Sequence, residues 1–175
     1  MAALRTAGWV AAGVAAAVAL ALAVGGRALV FGAVTWLVGR GKPELRWVEP
    51  EALAGELAGS APPVLLDVRE APEFAVSHLP GARRLPPGEL PAEVLALPRA
   101  TPVVTYCAVG VRAAAAARQL QAAGFSDVRV LAGSIFAWAN AGRPLVNAGG
   151  ATPLVHPVGP LWRLALAPAH RGALP

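Results

Sequence analysis

Short apolar runs alternate with helical stretches through the middle of this 175-residue chain, and that alternation limits the fold more than any other feature. Val64-Leu65-Leu66-Asp67-Val68 is an apolar run bounded by Pro62-Pro63, which reads as a buried parallel strand. Further strands are expected over residues 82–85, 103–106 and 128–131. Helices are expected over 49–57, 71–76, 87–97, 111–123 and 134–141, with Gly124 as a C-cap and Gly142 and Pro144 as a stop. Strands and helices at this spacing imply an α/β domain with a mainly parallel central sheet flanked by helices. In such sheets ligands bind beyond the carboxyl ends of the strands.

Cys107, the one cysteine of the chain, stands at one of those ends. It follows Pro102-Val103-Val104-Thr105-Tyr106 and opens the hexapeptide Cys107-Ala108-Val109-Gly110-Val111-Arg112, after which an alanine-rich helix begins. Converging backbone N–H groups and the helix dipole favour an anion there, and so favour a nucleophilic thiolate. The alternative is a buried cysteine acting as a small hydrophobe. A single cysteine allows no internal disulfide.

The domain sits between two ends of different character. All ten acidic residues lie between Glu44 and Asp127, and the net charge is +5. Residues 1–43 are an apolar, weakly basic segment, residues 44–146 the α/β domain, and residues 147–175 a Gly/Pro-rich tail without acids. The basic residues are scattered and form no Lys/Arg run, which argues against nucleic acid as a partner. Hydrophobic residues make up 56% of the chain, above the usual share for a soluble domain.

Residues 7–26 carry no charge, long enough for a helix to cross the ~30 Å hydrocarbon core. Three arrangements fit: a single transmembrane anchor, a helical hairpin turning at Gly25-Gly26, or a cleaved signal peptide with Ala21-Leu22-Ala23 as its site. The length of the apolar region favours the anchor. Arg27, Arg40, Lys42 and Arg46 after the span then put the main domain in the cytoplasm; cleavage would export it. For the tail, packing over the domain or disorder is favoured over contact with a membrane surface or a partner.

The stretch from about residue 46 to 146 resembles a single-domain rhodanese, the thiosulfate sulfurtransferase fold. The residues that carry the likeness are Leu65-Leu66-Asp67-Val68-Arg69-Glu70, Phe74, and Ser77-His78-Leu79-Pro80-Gly81-Ala82. Tyr106-Cys107 with the loop to Arg112, Ala122-Gly124-Phe125, and Gly133-Ser134 leading to Trp138, Gly142 and Pro144 complete it. The tail residues Val155-His156-Pro157 and Trp162 are similar to the extension of a membrane-associated bacterial subgroup. The resemblance implies sulfane-sulfur transfer: Cys107 attacks a small donor such as thiosulfate or polysulfide, holds a persulfide, and passes the sulfur to a thiol acceptor or another nucleophile such as cyanide. It implies no cofactor.

In that scheme Ala108, Val109, Gly110, Val111 and Arg112 form the loop that binds the sulfur through backbone N–H groups, with Arg112 as its cation. Ala113 stands where many family members have serine, and the loop interior is uncharged, so the preference for thiosulfate is not carried over. Four residues separate Cys107 from Arg112, against five in cysteine phosphatases of related fold; the smaller ring suits sulfur and crowds a phosphate. Asp67 and Arg69 read as a structural pair near the sheet end, because an ionised thiol needs no general base. His78 reads as a turn residue satisfying backbone groups and Trp138 as core. His156 and His170 are too isolated to form a metal site.

Overall fold

The computed structural model describes residues 44–173. The expected membrane anchor falls on residues 1–43 and lies outside the described residues. Among the described residues no helix is long and apolar enough to cross a membrane.

Five parallel strands form the sheet: β1 (Arg46–Val48), β2 (Val64–Asp67), β3 (Arg83–Arg84), β4 (Val103–Tyr106) and β5 (Val128–Leu131). Their order is β1-β5-β4-β2-β3, which places β4 at the centre. The connecting helices are α1 (Pro50–Leu57), α2 (Ala71–Val76), α3 (Ala92–Leu95), α4 (Val111–Ala122) and α5 (Ser134–Asn140).

The period-2 alternation of a strand divides the core in two. Leu65, Val104, Tyr106 and Leu131 face one way and pack with Leu53 of α1 and Ile135, Phe136 and Trp138 of α5. Leu66, Val103 and Val130 face the other way and pack with Val94 of α3 and the alanine face of α4 (Ala113, Ala114, Ala117) together with Leu120. The small alanine side chains let α4 lie close on the sheet, and Thr105 donates a hydrogen bond across that gap to the Ala113 carbonyl at 3.0 Å.

Two local expectations change. The helix expected over 87–97 is one turn, α3, and begins only after Pro91. Pro91 has no N–H to give and its φ of −57° suits a helix entry, so the proline marks the start of the helix rather than an interior position. Residues 46–48, for which the sequence predicts no element, form edge strand β1 against β5. That pairing partner is more than 80 residues away and leaves no local periodicity to read.

The tail residues up to 173 pack against the domain. β6 (Val146–Asn147) and β7 (Gly150–Ala151) form an antiparallel hairpin. Helix α6 (Pro160–Arg163) and a 3-10 turn (Pro168–His170) follow. Val155 and Leu166 are fully buried in the α1/α5 side of the core. Asn140 of α5 donates to the Ala165 carbonyl and accepts from the Ala167 amide, at 2.8 and 2.9 Å. Gly172 N–H donates to the Val155 carbonyl. A Cβ on Gly172 would come within 2.7 Å of that oxygen, so only glycine fits this crossing.

Candidate active site

The carboxyl ends of β2 and β4 meet at Cys107, one residue beyond β4 and only 2% exposed. The turn from Cys107 into α4 is held from two sides. Cys107 N–H donates to Ser134 Oγ at 3.1 Å. The Cys107 and Ala108 carbonyls accept from the Ile135 and Phe136 amides of α5 at 3.1 and 3.2 Å. In a trans peptide the N–H of the following residue points opposite to the carbonyl. Tying these two carbonyls to α5 therefore turns the Ala108 and Val109 amides away from it. Gly110 N–H completes the turn and donates to Cys107 Sγ at 3.1 Å.

Gly110 reaches that position with φ +109°, ψ −13° as the residue preceding α4. A side chain would be strained there, so the glycine is what lets the amide fold back on the sulfur. The Ala108 and Val109 side chains are buried in the α1/α5 core, whereas Val111 is 52% exposed at the mouth of the loop.

Arg112, the loop's cation, is bound to Glu73 of α2 by two hydrogen bonds of 2.7 and 2.8 Å. These bonds hold the guanidinium protonated well beyond its ordinary range against the opposing effect of burial, with the Glu73 charge and the influence of Cys107 adding to them. Burial by itself would push Glu73 up. The Arg112 hydrogen bonds and the Glu70 amide outweigh it and hold the carboxyl below its usual value. Glu73 also closes the capping box of α2, accepting from Glu70 N–H at 3.1 Å. The helix start and the loop cation thus share one carboxylate.

Asp67 and Arg69 lie beneath this layer, both fully buried. Arg69 Nε and Nη2 donate to the Asp67 carboxylate at 2.9 and 2.7 Å, and Nη2 also reaches the Ser77 carbonyl. Arg69 sits 6.0 Å from the Tyr106 ring centroid. The Tyr106 hydroxyl accepts from Leu79 N–H at 3.1 Å, and burial, then the Asp67 charge, push that phenol well above its ordinary range. The pair ties together the ends of β2 and β4 and the 77–79 turn. His78 stacks on Phe74 with ring centroids 3.9 Å apart, and its Nδ1 lies 3.1 Å from the Phe74 carbonyl. Trp138 is buried and donates to the Pro144 carbonyl at 2.9 Å.

The structure therefore brings Cys107, the 108–112 loop and, one layer below, Asp67 and Arg69 to one end of the sheet. Two residues in contact with this site were missed by sequence reasoning. Glu73 stands 39 positions before Arg112, and the Glu70–Glu73 spacing announces a helix start but no partner in the loop. Ser134 is fully buried with φ +52°, an unusual conformation for a non-glycine residue. Its signal was its place just beyond β5, at the same sheet end as Cys107.

The likeness to known proteins agrees with this geometry. Residues 49–141 match the model of the rhodanese-like domain family. A sulfurtransferase of Allochromatium vinosum is 34% identical over 103 residues, which is 59% of this chain and 96% of that protein. The crystal structure of thiosulfate sulfurtransferase from Pseudomonas aeruginosa is similar with a TM-score of 0.54 and 32% identity, over 59% of this chain but only 20% of that one. A rhodanese-related protein from Thermoplasma volcanium matches with a TM-score of 0.51 and 29% identity, over 58% of this chain and 97% of that one. The chain belongs to the rhodanese-like domain family.

Proposed function

We propose that this protein is a sulfurtransferase that carries sulfane sulfur on Cys107 from a small donor to a thiol acceptor. The observation that carries the reading is the Gly110 N–H on Cys107 Sγ, a donor already in place for negative charge on sulfur. The family membership and the sulfurtransferase among the relatives support it. The Cys107 thiolate attacks the outer sulfur of the donor. With thiosulfate the donor's S–S bond breaks, its electron pair leaves with sulfite, and Cys107 holds a persulfide. An acceptor thiolate then takes the terminal sulfur and returns the cysteine. The chain has no second cysteine, so the acceptor is external.

A second reading, a persulfide carrier with little turnover of free thiosulfate, is favoured by one feature. The cation beside the sulfur already has its charge answered by Glu73, which weakens attraction for a free dianion. Intact-mass measurement of the full chain after exposure to thiosulfate or polysulfide tests both. A one-sulfur adduct is expected on wild type, absent from Cys107→Ala and discharged by cyanide or a thiol. No adduct from any donor sinks both readings. An adduct with negligible steady-state turnover selects the carrier.

A further inference from the structure

Arg83 and Arg84 form the two-residue strand β3 at one edge of the sheet, and both are exposed. Neither makes an ion pair among the described residues, whereas Arg46, Arg118, Arg129 and Arg143, like the two arginines of the site, each meet a carboxylate. The register sets Arg84 beside Asp67 and Asp67 beside Tyr106, so Arg84 shares the row of the residue before Cys107. Two strand spacings put the Arg84 and Tyr106 backbones about 10 Å apart. One residue further on, Leu85 N–H donates to the Asp67 carbonyl and Val68 N–H to the Tyr106 carbonyl, which carries the alignment up to Cys107.

Charge at this range bears on what approaches the cysteine, because the Debye length in 0.1 M salt is about 10 Å. Successive strand residues point to opposite faces, so the two guanidiniums straddle the sheet edge. A small anion meets one of them; a chain segment carrying several carboxylates meets both. Two cations are few for a nucleic-acid backbone, where binding commonly draws on about six to ten phosphates. Val111 is 52% exposed at the mouth of the loop, and an apolar centre with a charged rim is the make-up of a protein-docking surface. Charges on an edge strand also discourage pairing with another sheet, but that role alone gives the edge no preference among acceptors.

We propose that Arg83 and Arg84 dock the sulfur acceptor, a protein whose reacting cysteine is flanked by acidic residues. The inference rests on the sulfur-transfer reading above and names the kind of partner that site serves. The acceptor thiolate attacks the terminal sulfur of the Cys107 persulfide, and a new S–S bond forms on the acceptor. The S–S bond on Cys107 breaks, and its electron pair stays with Cys107 as thiolate. Charge is conserved, and no oxidant or reductant is required. Carboxylates drawn to Arg83 and Arg84 bring the attacking thiolate to the loop more often, an effect on encounter rate.

The test loads Cys107 of the full chain with polysulfide and follows its discharge by two synthetic peptides. Each has one central cysteine, flanked by glutamates in one and by glutamines in the other. Each second-order rate is divided by that of the same peptide with 4,4′-dithiodipyridine, a neutral disulfide, which removes the effect of the glutamates on the thiol itself. The ratio of normalised rates, glutamate over glutamine, should be about five in wild type at low salt and fall toward one in Arg83→Gln/Arg84→Gln, as two exposed charge contacts allow. Each single substitution should give an intermediate ratio, which keeps the comparison if the double variant does not fold. Arg46→Gln/Arg99→Gln removes the same charge at the amino end of the sheet and should keep most of the preference. A wild-type ratio near one, or a ratio that this control lowers as far as the Arg83 and Arg84 substitutions do, overturns the docking assignment while sulfur transfer stands. If polysulfide leaves no sulfur on Cys107, the sulfur-transfer reading fails and takes this inference with it.

Discussion

Two arginine–carboxylate pairs lie close together at the carboxyl end of the sheet, and they differ in what surrounds them. Asp67 and Arg69 are both 0% exposed in their side chains, two residues apart on one strand end. Glu73 and Arg112 are 7% and 34% exposed, and they join two helices across 39 positions. Their contacts are chemically alike, two charge-assisted hydrogen bonds in a fork. The first pair is enclosed by Tyr106 and the 77–79 turn, so it can only hold the sheet end together. The second closes the loop that begins at Cys107, so its charge balance bears on the sulfur. Burial and neighbours, rather than the type of pair, separate a structural role from a positioning one.

The sharpest way to break that division is Asp67→Asn. Leaving Arg69 buried without its full countercharge should cost about 3–5 kcal/mol, read as a lower urea midpoint. Persulfide loading per folded molecule should stay close to wild type. Loading abolished in a protein that still folds would mean that the buried pair acts on the sulfur after all.

Glu73→Gln should reverse the pattern. Arg112 loses its anchor, and loading should fall about tenfold, equivalent to about 1.4 kcal/mol in the barrier. The expected loss of stability is smaller than for Asp67→Asn, about 1–2 kcal/mol, because the site is partly solvated. Unchanged loading would remove Glu73 from the site. Acid titration sharpens the same point. Glu73 binds its proton less readily when folded, so its share of stability is present above the ordinary value of 4.5 and is lost as pH falls through the lower folded value. Wild type should therefore lose stability more steeply than Glu73→Gln as pH falls from 4.5 toward that lower value, in urea titrations at stepped pH.

The smallest effect should come from a third pair far from the cysteine. Glu56 and Arg129 share hydrogen bonds of 2.7 and 2.8 Å, but Glu56 is 36% exposed. Glu56→Gln should cost less than about 1 kcal/mol and leave loading unchanged. A larger loss would show that exposure is a poor guide to what these pairs contribute.

Much of the domain was legible before any coordinates. The runs at 64–68, 103–106 and 128–131 are short and apolar, bounded by prolines or turn residues, and each holds a strand, the first ending at Asp67. The helices expected over 71–76 and 111–123 also stand where their patterns put them, the second ending at Ala122. Burial imprints a period on adjacent residues, so elements with a buried face declare themselves locally. The 87–97 stretch holds a shorter helix than expected because Pro87 and Pro91 are both possible helix starts, and the helix begins at the later one, with Val94 buried in the core. β1 has three residues, too few for a period. The 147–173 segment is rich in glycine and proline, a composition shared by disordered chains and by tails threaded through close contacts such as Gly172 on Val155.

The order of the elements, the placing of Cys107 at a strand end and the four-residue spacing to Arg112 could be read from the chain alone, because each depends on residues within one window. Which carboxylate answers Arg112 and which hydroxyl holds the Cys107 amide came only with the three-dimensional packing. Those contacts join positions 27 to 39 residues apart. They arise when parallel strands bring their carboxyl ends together, and a pairing made that way is set by sheet order and leaves no trace in the spacing along the chain.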